Sequence, residues 1–304
     1  MKDPDFAWVD PNPSDPIDPR TPVILAVSGV LLIVLVVATL VGVVLSNAGD
    51  DADQSVESVM LIAANATATE PFSRSIVVVP VSISDPAIAK VKDLLAQVPI
   101  RADRGVRMVS GVLPGLYGAA GQTDPCDVVT LANDLDADPM TAQVWGLALG
   151  ITPQQVPYYL NTLTGVVLMA DTWVTTHSLS GGVAKAKQAV LQAGNAILID
   201  PLGVPRVQCA SSAPLTPPDN DTLRNYRVDG DQWAEFTPQS VVAVNYSVDT
   251  GGPATDFTLI DIRTGQQIIR KVGDAIDLGG ASLPLPDPAV MNVPPPNQPE
   301  GGNP

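Results

Sequence analysis

Between Val23 and Leu45 the chain reads VILAVSGVLLIVLVVATLVGVVL, 23 consecutive residues without a charge or a proline. A helix of that length extends about 34 Å at 1.5 Å per residue, against a bilayer hydrocarbon core of about 30 Å. The stretch is apolar on every face rather than along one stripe, which argues against a core helix packed on a single neighbour. The expectation is a single-pass transmembrane helix, Val23 to Leu45, with residues 1–22 on one side and residues 46–304 on the other. The alternative is a cleaved signal peptide, with Ser46-Asn47-Ala48 as a small-residue cleavage site. Signal h-regions run about 7–15 residues behind a basic leader. Residues 1–22 hold five Asp and six Pro instead, so an uncleaved anchor is the better fit.

Arg20 and Lys2 precede the span, and no Lys or Arg follows it until Arg74. The positive-inside rule then places the N-terminus in the cytoplasm and the large C-terminal part outside, in the cell envelope. The leader is Pro/Asp-rich and reads as disordered, as does the Pro/Gly-rich stretch 275–304; residues 46–55 form a short acidic linker. That leaves 56–274 as one extracytoplasmic domain.

The whole chain has a formal charge of -16. Beyond Leu45 there are 14 basic and 27 acidic residues, a balance that repels phosphate backbones and excludes nucleic acid as a partner. Aromatic residues make up 4%, so the core has to be aliphatic. Two cysteines, Cys126 and Cys209, both lie beyond the span. In an oxidising compartment an even pair reads first as a disulfide, the functional alternative being a free reactive thiol.

Along the outer part, 56–64 and 75–83 read as strands, the second interrupted by Pro80. Residues 85–98 (DPAIAKVKDLLAQV) read as an amphipathic helix, with Asp85 at the N-cap and apolar residues at Ile88, Val91, Leu94, Leu95 and Val98. The glycine-rich run from Gly105 suits a strand and turns in which backbones pack closely; it lacks the spacing of a phosphate-binding loop. Three helical patterns within 125–163 form a helical insert, Gly150 closing the second of them. Residues 165–174 return to strand, 183–193 (VAKAKQAVLQA) read as helix, and 196–200 with 204–209 read as a hairpin about Pro201-Leu202-Gly203. A proline-rich joint, 214–219, leads to strands at 240–248, 257–262 and 266–272, the last two forming a C-terminal β-hairpin about Arg263-Thr264-Gly265. The fold class is therefore α+β with a mixed or antiparallel sheet.

Several of these runs, taken in order, carry a resemblance: PFS at 71–73, VSG then PGLYG within 109–118, CD at 126–127, DTWVTTH at 171–177, VLQAGNAILID at 190–200, GVPRVQCA at 203–210, PLTPP at 214–218 and FTLIDIRTG at 257–265. Together they resemble DUF6777, a family of actinobacterial membrane-anchored extracytoplasmic domains of unknown function, over about 57–273. The chain departs from the family pattern at Trp173, Thr176, Ser178 and Ser211, where a family arginine and a second cysteine are replaced. The resemblance implies a leader, a span and an outer domain, and no biochemical activity. Tyr117, Trp173 and Arg206, which lie within these motifs, are the candidate binding residues.

His177 is the sole histidine, so any Ser-His-Asp or Cys-His arrangement has to use it. Asp171 lies six residues before it, Ser178 directly after, and Cys209 further on. No G-x-S-x-G nucleophile elbow occurs, and one histidine with two distant cysteines does not make a zinc site. No metal or other cofactor is expected. The reading of the sequence is a non-enzymatic envelope module that binds a protein or glycan partner near the membrane. The alternative is an envelope hydrolase or transpeptidase using His177 with Asp171 and a Ser or Cys nucleophile.

Overall fold

The computed structural model describes residues 57–78, 82–245 and 252–293, all within one compact unit that begins at Val56. The leader, the 23–45 stretch, the acidic linker and the last eleven residues lie outside the described residues. No helix among the described residues is long and apolar enough to cross a membrane.

In chain order the elements begin with β1 (Ser58–Ile62), α1 (Asp85–Ala96), β2 (Arg107–Ser110), β3 (Tyr117–Ala119), α2 (Val128–Ala137), α3 (Pro139–Ala148) and α4 (Val156–Leu160). They continue with β4 (Thr164–Leu168), β5 (Thr172–Ser180), β6 (Val183–Leu191), β7 (Ala196–Ile199), β8 (Pro205–Gln208) and β9 (Ala213–Thr216). Last come β10 (Arg227–Asp229), β11 (Val242–Asn245), β12 (Asp256–Asp261), β13 (Gln267–Lys271) and the single turn α5 (Pro288–Met291).

The strands form one mixed sheet in the order β10-β1-β6-β5-β9-β8-β7-β4-β3-β12-β13, with β11 joining β2 to β5. Strand β1 runs parallel to both β10 and β6, whereas the centre, from β5 through β9, β8, β7 and β4 to β3, is antiparallel. The fold is thus α+β, with few helices on a mixed sheet.

Strand β7 shows why the central strands read as unbroken apolar runs. Alternate side chains of a strand face opposite sides. Here Ala196 and Leu198 pack with the helical insert, where Leu131, Trp145 and Leu160 lie. Ile197 and Ile199 pack on the other side with Val91 and Leu95 of α1. A sheet covered on both faces has no polar alternation to show. A third cluster, around Trp173, Val190 and Tyr226, closes the β1–β6 end.

Local chemistry fixes the helices. Asp127 caps α2 by accepting from the Thr130 amide at 2.9 Å, and Asp138 caps α3 by accepting from the Thr141 amide at 3.2 Å, so each satisfies one of the orphan donors of a first turn. Pro139 follows Asp138 at the helix start, where a missing N–H costs nothing. Helix α1 starts one residue earlier than its sequence indicates: Ser84 is the N-cap and Asp85 already lies in the first turn.

Cys126 and Cys209 form a disulfide with Cα atoms 6.0 Å apart, tying the insert to the end of β8. Closing a loop with a sequence separation of 83 stabilises by about 4–5 kcal/mol in the chain-entropy model. The glycine-rich run also does what its composition suggests. The backbone at Gly111 lies so close to Gly203 (φ +74°) that a Cβ built on Gly203 would sit 2.0 Å from the Gly111 carbonyl oxygen.

Three further local readings differ from the structure. Residues 183–193 form strand β6 rather than a helix: Gly181 and Gly182 take φ of +60° and +78°, reversing the chain so that β6 pairs with β5 over nine residues. Pairing and the burial of Ala189, Val190 and Leu191 outweigh the modest helix preference of Ala, Lys and Gln. The proline-rich joint contains β9, which bridges the two halves of the sheet. Of the strand read at 75–83, only Val77 makes a bridge, to Cys126, and 79–81 lie outside the described residues. Residues 275–293 are mostly exposed or half-buried and touch the domain at a few points. Leu285 and Met291 lie against the helical core, and Gln155 Nε2 donates to the Pro284 carbonyl at 2.7 Å.

Candidate functional site

The sequence-derived candidates do not converge. Asp171 immediately precedes β5 and His177 lies within it, so six residues of extended chain, about 20 Å, separate them. His177 Nδ1 lies 3.0 Å from the Pro214 carbonyl oxygen. A carbonyl only accepts, so Nδ1 carries the proton, which defines the neutral tautomer. Burial pushes the imidazole below its ordinary pKa, the Pro214 contact opposing only in part. Cys209 is consumed in the disulfide. Among the described residues, neither a Ser-His-Asp nor a Cys-His arrangement is assembled around His177. Among the described residues, no group of three or more His, Cys, Asp or Glu is placed to hold a metal ion.

The three candidate binding residues are interior. Tyr117 is 3% exposed and its hydroxyl donates to the Gly203 carbonyl at 2.6 Å. Trp173 is 0% exposed, meets Tyr226 edge-on at 5.8 Å and carries the Arg104 guanidinium 5.2 Å above its ring. Arg206 is also 0% exposed: its Nε donates to Asp200 at 2.9 Å and its Nη1 to the Met291 carbonyl at 3.1 Å. These motif residues hold the fold together and present no surface to a ligand.

A cleft of about 890 Å³ lies elsewhere, between one face of α1, the β4–β5 and β6–β7 turns and the loop that leads into β11. Ile88, Val91 and Leu95 of α1 and Met169 supply its apolar wall. They share a helix face because they recur at spacings of three and four residues. Arg107, at the start of β2, ties α1 to the loop: its Nε donates to the carbonyls of Leu95 at 3.0 Å and Val98 at 3.1 Å, and its Nη1 to that of Gln239. The guanidinium thereby adds a donor to carbonyls at the C-terminal end of the helix, where the Val98 amide already bonds to that of Leu95.

Asp171 lies at the bottom of this cleft, 9% exposed. One carboxylate oxygen accepts from the Ala193 amide at 2.9 Å and the other from the Trp233 indole at 3.0 Å. Burial raises its pKa above the ordinary carboxylate value, and the nearby Glu235 adds to the rise, while the two hydrogen bonds oppose it. Trp233 is half-buried and braced edge-on by Phe236 at 5.2 Å. Sequence reasoning missed this site, although it picked out Asp171 for another role. The available signal was an aromatic pair, Trp233 and Phe236, within the polar run DGDQWAEF.

A second, smaller depression of about 370 Å³ is lined by His177, Ser178, Lys185 and Gln208. The Gln208 side-chain oxygen already accepts from the Ser211 hydroxyl at 3.0 Å.

Residues 107–273 match the family described as "Domain of unknown function (DUF6777)", which is more than half of the chain. The chain belongs to this family. The DUF6777 region contains β2 through β13, hence both cysteines, Asp171 and Trp233, and leaves out β1 and α1. The helix that walls the cleft thus comes from outside the matched region. No curated protein and no solved structure matches the chain.

Proposed function

We propose that this DUF6777 chain is a single-pass membrane-anchored protein of the cell envelope, whose outer domain is a non-enzymatic binding module with the α1 cleft as its ligand site. The observation that carries the binding reading is the cleft itself. It combines a large apolar wall with a few convergent polar groups held rigid by hydrogen bonds, the usual composition of a ligand site. Support for the anchor comes from the charge-free stretch Val23 to Leu45 and the basic residues ahead of it. An extracytoplasmic setting is consistent with the disulfide, since such bonds persist in oxidising compartments. An envelope protein or glycan is the partner class.

The test compares the full-length chain with an Ala193→Trp variant, which fills the cleft from its rim. A ligand at about 100 times its Kd stabilises the folded state by about 2.7 kcal/mol. An envelope extract is expected to raise the melting temperature of the wild type and not that of the variant. Equal shifts in both proteins, or consumption of an extract component with turnover, would sink the proposal.

A further inference from the structure

The Asp171 carboxylate is nine-tenths buried, yet none of the ion pairs among the described residues includes it. Of the other buried carboxylates, Asp200 has Arg206 beside it at 2.9 Å, Asp261 has Arg263 at 3.7 Å, and Asp219 has Arg104 donating to its own backbone carbonyl. A buried charge is normally matched by an opposite charge, and Asp171 has only two neutral donors. The remaining charges around the cleft do not supply the match. Arg107 is turned to three backbone carbonyls, Lys92 stands exposed on α1, and Asp85 and Glu235 add two further negative charges at the rim. Burial raises the pKa of Asp171, the Ala193 and Trp233 hydrogen bonds oppose the rise, and Glu235 adds to it.

The surroundings define what cation would fit. The Trp233 indole holds the carboxylate through its N–H edge and fixes its orientation in the cleft. Ile88, partly exposed on α1, supplies apolar surface to the same cleft, whose lining also includes the buried Val91 and Leu95. Resting on the reading of the cleft as a ligand site, we propose that it binds a primary alkylammonium group on an apolar stem, with the ammonium on Asp171 beside Trp233 and the methylenes along α1. A lysyl side chain of a peptide and a free aliphatic diamine share this chemistry.

Isothermal titration of the full-length chain in mild detergent tests the proposal with n-pentylammonium, its neutral isostere 1-pentanol and its anionic counterpart pentanoate. The expected result is one site for pentylammonium with a Kd of about 1 mM, weakened by salt, and binding of the other two at least about tenfold weaker. Asp171→Asn is expected to reduce pentylammonium affinity at least about tenfold. Ile88→Lys, which brings a tethered ammonium into the same cleft, should abolish it and serves if the asparagine variant does not fold. Nα-acetyl-lysine methylamide and 1,5-diaminopentane then separate the sources: the tighter of the two identifies peptide or diamine. Pentanol or pentanoate binding as tightly as pentylammonium, with Ile88→Trp blocking all three, would overturn the ammonium assignment and leave the cleft as a ligand site. Absence of pentylammonium binding at about 10 mM, or binding indifferent to both Asp171→Asn and Ile88→Lys, would also overturn it, while the extract experiment judges the cleft independently.

Discussion

Replacing Arg206 with methionine removes the cation from the most deeply buried ion pair among the described residues. Its guanidinium makes three contacts: to Asp200 at 2.9 Å, to the Met291 carbonyl at 3.1 Å and to the Asn292 side-chain oxygen. Asp200 in turn accepts from the amides of Leu202 at 2.9 Å and Val204 at 3.0 Å, which fix the turn between β7 and β8. Methionine conserves much of the volume but leaves a carboxylate in the interior with no counter-charge. Breaking a buried pair in this way costs about 3–5 kcal/mol, a large part of the about 5–15 kcal/mol that stabilises a domain. With a urea m-value of about 3 kcal/mol/M, the midpoint should fall by about 1–1.7 M. The substitution should also release 284–293, because two of the three lost bonds end on Met291 and Asn292. Hydrogen exchange would register this as faster exchange at Val290 and Met291, whose amides bond back to Asp287. Adding Asp200→Asn removes the stranded charge and should restore about 1–3 kcal/mol. A cost below about 1 kcal/mol, or unchanged exchange in the C-terminal segment, would refute the account of Arg206 as an interior strut.

Three further outcomes follow from individual residues. Replacing both cysteines with alanine should cost about 2–5 kcal/mol in chemical unfolding, and two alkylatable thiols in the folded wild type would contradict the pairing. Gly203→Ala meets both a φ of +74° and the Gly111 carbonyl, so it should lower stability by about 3 kcal/mol or more; a loss under about 1 kcal/mol would mean that the two backbones separate freely. His177 gives the single imidazole signal of the chain and should titrate below pH 6.5, because burial disfavours its charged form. Its folded pKa is below the unfolded value, so the unfolded chain binds the extra proton first, and stability should fall as pH drops from about 6.5 toward the folded pKa. His177→Gln should flatten that dependence, and a midpoint at or above 6.5 would contradict it.

What the sequence displays is whatever local periodicity decides. Helix α1 is legible because Ile88, Val91 and Leu95 recur at helical spacing, and the β12–β13 hairpin because FTLIDI and QQIIRKV flank a glycine turn. Strand β6 is not legible: AKAKQA favours helix mildly, and only its long pairing with β5 and its parallel contact with β1 determine the outcome. Strand β9 is hidden by Pro214, whose missing donor suggests a joint although its neighbours complete the central sheet. The cleft was out of reach for a related reason. Its lining comes from α1, two tight turns and the 233–240 loop, segments about 20 to 150 positions apart that no spacing rule connects. Asp171 could be read as chemically interesting, but its partners, the Ala193 amide and the Trp233 indole, exist only in three dimensions.

The central claim is that the cleft beneath α1 is where the outer domain meets its ligand at the membrane. A photo-cross-linking side chain placed at Lys92, on the cleft rim, and another at Lys185, on the separate depression in β6, compare the two surfaces in the same full-length chain within intact cells. The account predicts a discrete adduct from position 92 that disappears when Ala193→Trp fills the cleft, and none of that kind from position 185. Adducts of equal yield from both positions, or an adduct at 92 that survives the filled cleft, would contradict it.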